Sequence, residues 1–245
     1  MKRTLIILAT ILSLCACEKN AQVVETNIEL DTNEITLHCN EDKIIHIIGA
    51  TEYCNAICND EFVAWTYTDK NAITIDARHV GTTTISVEYK GDKTSAECKV
   101  TVLPSVDYTC DVTAIWGATK KEISAKVDKS YTSAYTDTQR QCETYQYTTN
   151  SGYGVTVRYY FKENELCGIH KVVNPNKDSE SVAYMNIATG LSEYMERVSS
   201  NTPRTFSHPS GYYAALYYPS LNNKFDIYYA PTHDEAIAHS FVKYK

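Results

Sequence analysis

Two histidines near the C-terminus have the spacing that comes nearest to a metal-dependent active site. His233 and His239 stand six residues apart, and Asp234 and Glu235 directly follow the first. A helix-borne zinc pair needs a spacing of four to place both rings on one face. On a strand, residues six apart share a face but lie roughly 20 Å from each other, beyond the coordination sphere of one metal. We therefore predict no metal site, and a solvated turn before a last strand at 236–244.

Other residue types used in catalysis occur without the spacing that catalysis requires. Cys167 and His170 are three apart on a predicted strand, so their side chains should point to opposite sides of the sheet. Glu193 and Glu196, three apart on a predicted helix, are typical of an exposed face rather than of an acid and base pair. No Gly-x-Ser-x-Gly elbow is present. We predict a protein that is not an enzyme and uses no cofactor, the alternative being a hydrolase with an unrecognised site in 104–245.

Tyrosine is unusually frequent, with 20 residues, 17 of which follow residue 104. Four adjacent pairs stand on predicted strands, and in each pair one ring must face the core and the other the opposite side of the sheet. The outward rings would form a binding platform for a glycan or a peptide, because tyrosine combines an apolar ring with a hydrogen-bonding tip. The alternative is that a second layer covers that face, since tyrosine is a favoured strand residue. The pairs are Tyr159 and Tyr160, Tyr212 and Tyr213, Tyr217 and Tyr218, and Tyr228 and Tyr229.

The N-terminal residues predict export. Lys2 and Arg3 precede an apolar run and then small residues, the pattern of a secretory signal. The run is shorter than the roughly 20 residues that a transmembrane helix needs. Residues 1–16 are therefore predicted to be a signal peptide and residues 17–21 a linker.

The end of this leader, Leu14-Cys15-Ala16-Cys17, resembles the lipobox of bacterial lipoproteins. In that motif a branched apolar residue stands three before, and a small residue one before, the cysteine that is acylated. The resemblance implies lipid attachment at Cys17 and a membrane as a partner. It implies an exported protein of the cell envelope, for which we predict a Gram-negative outer membrane, with the choice between the two membranes and between the surface and periplasmic faces left open. The alternative is an ordinary secretory signal cut after Ala16, which leaves Cys17 as a thiol.

The mature chain is acidic. Removal of residues 1–16 takes away Lys2 and Arg3 and no acid, so 21 basic and 30 acidic side chains remain, a formal charge of −9 (21 minus 30). Because an acidic surface repels phosphate backbones, we expect no nucleic acid partner.

Seven cysteines follow Cys17, and disulfides are expected in an exported protein. Cys39 and Cys98 share the faces of inward residues on their predicted strands, so they could bridge the two sheets of a sandwich. Cys54 and Cys58 stand four apart and could form a local bridge. In both cases the alternative is separate thiols, since free cysteine is readily buried. Zinc is not expected, because no second close pair of Cys or His accompanies them.

Residues 22–103 are predicted to be an all-β sandwich. Apolar and polar residues alternate at 34–39, 72–77, 84–89 and 96–102, the period of a half-buried strand. The stretch ITIDARHVGTTTISVEYKGDKTSAECKVTV, at 73–102, resembles the second half of a bacterial immunoglobulin-like domain of group 2. The resemblance implies an immunoglobulin-like β-sandwich. Upstream, Trp65 comes later than the tryptophan of that family, so the strands between 50 and 68 are left open.

Residues 104–245 are predicted to be a tyrosine-rich α+β domain with an antiparallel sheet and two helices. Thr119 and Glu122 have the spacing of a capping box, and a second helix is predicted over 179–199. Strands are predicted after each helix, so 116–173 and 179–244 would be a tandem helix-plus-hairpin repeat. The stretches WGATKKEI and VRYYFKENELCGI resemble a pattern in uncharacterised lipoproteins. More loosely, they resemble the helix-plus-sheet units of outer-membrane assembly lipoproteins and of the β-lactamase inhibitor protein, which implies a non-catalytic interaction domain.

These features predict a mixed two-domain, lipid-anchored exported protein. The immunoglobulin-like domain would be a spacer, and the α+β domain would bind a protein or glycan ligand. One alternative is a periplasm-facing partner in envelope assembly or in the inhibition of another protein. The other is the hydrolase with an unrecognised site.

Overall fold

A computed structural model describes most of the chain, and the described residues are mainly in strands. They form 16 strands and three helices. The predicted signal peptide at 1–16, the linker at 17–21 and the lipid attachment site Cys17 lie outside the described residues. The described residues are 28–50, 54–89, 95–106, 112–127, 129–148, 152–175, 178–220, 224–239 and 241–242.

The first eight strands form two four-stranded sheets around one core. The strand order is β1-β3-β6-β5 in one sheet and β2-β8-β7-β4 in the other. Neighbouring strands are antiparallel, except that β2 and β8 run parallel. The bounds are β1 (Glu29–Leu30), β2 (Glu34–His38), β3 (Asp42–Ile48), β4 (Cys54–Cys58), β5 (Ala64–Asp69), β6 (Ala72–Ala77), β7 (Gly81–Tyr89) and β8 (Ser95–Leu103).

Alternation along the strands explains why these residues pack as two layers. Ile73 and Ile75 of β6 are fully buried between the sheets, whereas Thr74 between them faces outward. Ile85 and Val87 of β7, which belongs to the other sheet, are buried in the same core. Burial of each such side chain stabilises the fold by roughly 1.5–3 kcal/mol. The strands predicted at 34–39, 72–77, 84–89 and 96–102 are confirmed as β2, β6, β7 and β8.

The disulfide predicted between Cys39 and Cys98 is wrong, because these residues belong to opposite ends of neighbouring strands. β2 and β8 are parallel partners in one sheet, with Leu37 opposite Val102. Cys39 follows β2, and its N–H donates to the carbonyl of Leu103 (2.9 Å). Leu103 and Cys98 are five residues apart on β8, a separation of roughly 17 Å. The two cysteines are therefore separate buried thiols, which was the alternative interpretation.

Cys54 and Cys58 form no local bridge. They lie at the two ends of β4, four residues and roughly 13 Å apart, whereas a disulfide requires a Cα separation of about 4.4–6.8 Å. Burial raises the pKa of Cys54, and it raises the pKa of Cys39 to about 12, with a further contribution from the nearby carboxylate of Glu193. Cys54 and Cys39 are therefore uncharged core residues at neutral pH.

The other eight strands form a single antiparallel sheet in the order β13-β14-β15-β16-β12-β11-β10-β9. Four consecutive strands follow each of the first two helices, and the two sets meet where β12 pairs with β16. The prediction that strands follow each of the first two helices is confirmed. The bounds are β9 (Ser133–Asp137), β10 (Cys142–Thr148), β11 (Gly154–Lys162), β12 (Glu165–Asn174), β13 (Glu196–Ser199), β14 (Arg204–His208), β15 (Tyr212–Ser220) and β16 (Lys224–Ala230).

The first helix, α1 (Lys120–Lys126), begins at the predicted capping box. The N–H of Glu122 donates to Oγ1 of Thr119 (3.4 Å), and the N–H of Thr119 donates to the Glu122 carboxylate (2.8 Å). These bonds satisfy two backbone donors that the first turn cannot pair internally. Ile123, in the same turn, is fully buried against the sheet.

The second helix, α2 (Glu180–Tyr194), begins after Ser179 as predicted but ends earlier than predicted. Ile187 and Leu191 are fully buried against the sheet. Met195 is extended, and the chain continues as the edge strand β13. The predicted helical residues 196–199 are therefore in a strand, because a short apolar run does not distinguish helix from strand.

The strand predicted at 236–244 is wrong: the described part of this segment contains a third helix, α3 (His233–Ala238). Oγ1 of Thr232 accepts a hydrogen bond from the N–H of Glu235 (3.3 Å), and the helix ends at His239 in a left-handed conformation. The Thr232-x-x-Glu235 spacing is a capping signature that the sequence interpretation missed. α3 packs on β14, β15 and β16.

A buried glutamate joins α2 to the segment after β8 and to the N-terminal core. Glu193, in the last turn of α2, is only 2% exposed. Its Oε1 accepts hydrogen bonds from the backbone N–H of Ser105 (3.1 Å) and from the Ser105 hydroxyl. Its backbone carbonyl accepts one from the N–H of Val80 (2.7 Å). The prediction that Glu193 and Glu196 share an exposed face is wrong, because the helix ends between them and Glu196 alone is exposed.

Candidate functional site

The tyrosine pairs divide between the two sides of the eight-stranded sheet, as predicted. We call the side packed on α1 and α2 the inner face, and the side packed on α3 the outer face. The inner-face rings are buried in the main core, except Tyr218, which is 47% exposed beside α2. The inner-face rings are Tyr159, Tyr212, Tyr218 and Tyr229, and the outer-face rings are Tyr160, Tyr213, Tyr217 and Tyr228.

The predicted tyrosine platform is wrong, because a second layer covers the outer face. Tyr160 and Tyr228 are 3% and 5% exposed. The ring of Phe241 lies against both, with centroid separations of 5.7 Å and 6.3 Å. The hydroxyl of Tyr217 donates to the carbonyl of Ile237 in α3. The alternative interpretation, a covered face, is confirmed.

A polar cluster lies under this second layer, centred on His170 of β12. Nε2 of His170 is 2.7 Å from Oδ1 of Asp226, and Nδ1 is 3.3 Å from Nη1 of Arg158. The imidazole stacks on the ring of Tyr228, which in turn stacks on His239, each with centroids 4.4 Å apart. The C-terminal cap of α3 therefore contacts the strands through a stack of three rings.

The hydrogen bonds of His170 define its charge state. Because the guanidinium of Arg158 can only donate, Nδ1 must accept, and Nε2 carries the proton that is donated to Asp226. Burial lowers the pKa of His170, and the bond to Asp226 only partly opposes this shift. Both ring nitrogens are occupied within the protein, so His170 has no free lone pair with which to accept a proton from a substrate.

A cavity of about 340 Å³ opens at the edge of the outer face. Three charged residues, two positive and one negative, and three aromatic residues line it. Arg140 is held by Asp137 (2.6 Å), and backbone and side-chain hydrogen bonds from Arg140 lower the pKa of Asp137. The lining residues are Arg140, Gln141, Tyr160, Phe161, Lys162, Cys167, Glu235 and Phe241.

The structure assigns Cys167 and His170 to different environments. The thiol of Cys167 lines the cavity and donates to the carbonyl of Tyr160 (3.4 Å), whereas His170 is held by Arg158 and Asp226. His233 and His239 stand at the two ends of α3, beside Tyr213 and Tyr228 respectively. The residues singled out for catalysis therefore form no common site.

A second exposed surface lies on the outward side of the sheet that contains β5. Trp65 is 41% exposed and Tyr67 is 58% exposed on this edge strand. Alternation in the stretch AWTYTD could have predicted both rings on one face. The sequence interpretation missed this surface because it left the strands between 50 and 68 open.

Within the described residues, no group of three or more His, Cys, Asp or Glu side chains is arranged to hold a metal ion. None of the helices described is both long enough and apolar enough to span a bilayer.

The chain matches no protein-family model and no curated protein. Distant similarity exists to solved structures of the surface layer protein SbsC. Domains 1–6 of SbsC match with a TM-score of 0.28 and 8% identity, and the match covers 62% of this chain but only 23% of that one. Domains 5–6 match with a TM-score of 0.29 and 9% identity, covering 84% and 83%. A marsupial T cell receptor matches with a TM-score of 0.24 and 11% identity, covering 83% of each chain. Similarity at this level identifies neither a family nor a function.

Proposed function

We propose that the chain is a non-catalytic, lipid-anchored exported protein that binds a protein or glycan ligand through its C-terminal region. The leader supports export and acylation at Cys17, and we propose a Gram-negative outer membrane as its location. The observation that carries the binding function is the cavity at the edge of the outer face. Such a cleft, with aromatic walls and a few convergent polar groups, is typical of a ligand site.

We also propose two domains, with a boundary near residue 104. In support, the buried residues separate into a core formed by residues 28–102 and another formed by residues 112–229. The first would be an immunoglobulin-like sandwich of group 2, and the second an α+β domain with a tandem helix-plus-hairpin repeat. The strand β1 begins at Glu29, twelve residues after Cys17. This order suits a spacer that holds the C-terminal domain away from the membrane.

The chemistry of the cavity favours a polar ligand group. Lys162 is exposed at the rim, and Arg140 and Glu235 provide a second donor and an acceptor. Tyr160 and Phe241 supply apolar surface. A sugar ring or a polar side chain could therefore make both kinds of contact. The hydrogen bonds of His170 to Arg158 and Asp226 support the non-catalytic interpretation, because they occupy both of its ring nitrogens.

A test of the binding function uses the mature chain with Cys17→Ser, immobilised and exposed to a solubilised envelope fraction. We expect Lys162→Glu to reduce the retained material, because it reverses the charge at the cavity rim. The matched control is Lys121→Glu, which makes the same charge change on an exposed position of α1. Equal retention by both variants would refute the cavity as the binding site.

The proposed anchor is tested separately by mass spectrometry of the native N-terminus. A diacylated or triacylated Cys17 is the expected product. A free thiol at Cys17, or residues 1–16 still attached, would refute lipid anchoring and leave the cavity experiment unaffected.

A further inference from the structure

The sheet formed by β1, β3, β6 and β5 exposes aromatic and aliphatic side chains on its outward side, which we call the Trp65 face. Trp65 and Tyr67 stand two residues apart on β5, so both rings point outward at a spacing of roughly 7 Å. Ile44 of β3 is 54% exposed on the same side. Large exposed apolar patches of this kind mark interaction sites.

The strand register arranges these side chains in rows across the sheet. Ile44 lies opposite Thr74, and Thr74 lies opposite Tyr67. Two strand spacings, roughly 10 Å, therefore separate the isoleucine from the tyrosine, with a hydroxyl between them. In the next row, Trp65 lies opposite Asp76. Apolar surface and hydrogen-bonding groups thus alternate over a distance of two strands.

The indole of Trp65 is held in place before any ligand binds. The guanidinium of Arg78 lies over the ring, 5.3 Å from its centroid, and Nε of Arg78 donates to Oδ2 of Asp76 (3.2 Å). Stacking of this kind restricts the rotation of the indole. A restricted side chain loses less conformational entropy on binding, which favours affinity. The edge position of β5 leaves the neighbouring ring of Tyr67 open to solvent.

The charges of the Trp65 face select against acidic ligands. The outward positions of β3, β6 and β5 contain three aspartates and no lysine or arginine: Asp42, Asp69 and Asp76. Arg78, which follows β6, is already paired with Asp76. Carboxylates accept hydrogen bonds from hydroxyl groups but repel anions.

We propose that the Trp65 face binds a neutral polysaccharide. Pyranose rings present C–H groups that pack on aromatic faces, and their hydroxyls donate to the carboxylates and to Thr74. A mainly apolar protein interface fits less well, because Asp76 and Thr74 interrupt the apolar surface along each row. This site is distinct from the cavity in the C-terminal region and does not depend on the lipid anchor.

The experiment is native gel electrophoresis of the mature chain with Cys17→Ser in gels containing soluble polysaccharides. The neutral probes are mixed-linkage β-glucan, xyloglucan, galactomannan and glycogen, and the acidic probes are alginate and polygalacturonate. We expect retardation by at least one neutral probe and by neither acidic probe. Trp65→Ala and Tyr67→Ala should each weaken the apparent affinity at least tenfold. The control Tyr135→Ala, which removes an exposed ring from β9, should migrate like the wild type.

A second measurement follows Trp65 directly. The chain has two tryptophans, so Trp116→Phe leaves Trp65 as the sole indole reporter, and the retarding polysaccharide should shift its emission. Circular dichroism of each variant shows whether weaker binding comes from loss of the aromatic ring or from unfolding of the protein. The proposal is overturned if no neutral probe retards the protein, if an acidic probe retards it equally, or if folded Trp65→Ala binds like the wild type.

Discussion

The buried carboxylate of Glu193 gives the sharpest prediction about what holds the two cores together. Oε1 accepts two hydrogen bonds from Ser105, and among the described residues Oε2 has no hydrogen-bond partner. Glu193→Ala removes both bonds and leaves the Ser105 donors without their acceptor. The backbone bond from Val80 to residue 193 is retained.

The loss of stability expected for Glu193→Ala follows from these contacts. Two hydrogen bonds to a charged group contribute about 3–6 kcal/mol in total, and removal of a buried oxygen that lacks a partner recovers about 1–3 kcal/mol. From the midpoints of these ranges, about 4.5 and about 2 kcal/mol, Glu193→Ala should lower the free energy of unfolding by roughly 2.5 kcal/mol. Glu193→Gln keeps one oxygen for Ser105 and removes the charge, so it should change the free energy of unfolding by less than about 1 kcal/mol.

The assay is urea denaturation followed by circular dichroism and by tryptophan fluorescence. Trp65 lies in the N-terminal sheets and Trp116 packs on Tyr212 of the C-terminal core, so the two indoles report on different regions. We expect Glu193→Ala to separate the two transitions and to lower the apparent m-value, because the segment that joins β8 to the C-terminal region is no longer held to α2 by side-chain bonds.

The control for this experiment is Glu196→Ala, two residues beyond α2 on the exposed part of β13, which should change stability by less than about 0.5 kcal/mol. The reasoning is refuted if Glu193→Ala is no more destabilising than Glu196→Ala. It is also refuted if Glu193→Gln costs as much as Glu193→Ala, since the charge itself would then be required.

Three further predictions concern the elements around the sheet. Gly168→Ala should destabilise the chain by about 1–3 kcal/mol in urea denaturation, because the added Cβ would overlap the ring of Phe241. Adding Phe241→Ala should relieve this loss of stability. If it does not, the overlap with Phe241 is not the cause of the loss. The pKa of His170 is lowered in the folded state, so the unfolded chain binds more protons and stability should fall as pH decreases below about 6.5. His170→Gln should flatten this dependence between pH 8 and pH 5, and an unchanged slope would contradict the assignment. Thr119→Ala should lower the free energy of unfolding by about 1 kcal/mol through loss of the α1 cap, measured by thermal denaturation, whereas Thr119→Ser should be close to neutral.

Local sequence patterns were sufficient to predict strands with alternating side chains and a helix with a capping box at its start. The strands β6 and β8 were predicted from period-two alternation, and α1 from the spacing of Thr119 and Glu122. The division of each tyrosine pair between two faces also needed only strand geometry. These features depend on residues within one segment, so the amino-acid order determines them before the chain is packed.

Other features depended on which segments became neighbours. Cys39 and Cys98 occupy inward positions as the sequence indicates, yet the parallel pairing of β2 with β8 separates them along the sheet. The rings of Tyr160 and Tyr228 point outward as expected, yet α3 and Phe241 cover that face. Alternation predicts the face on which a side chain lies, but not what packs against that face.

The sequence by itself therefore determined the β-rich class, the positions of several strands and the acidic character of the chain. Only the tertiary structure determined which candidate site residues are buried and which are exposed. It buried five of the eight paired tyrosines and Glu193, it engaged both ring nitrogens of His170 in hydrogen bonds, and it left Trp65 and Tyr67 exposed. The physical reason is that burial is a property of contacts between distant segments, whereas periodicity records only the local geometry of the backbone.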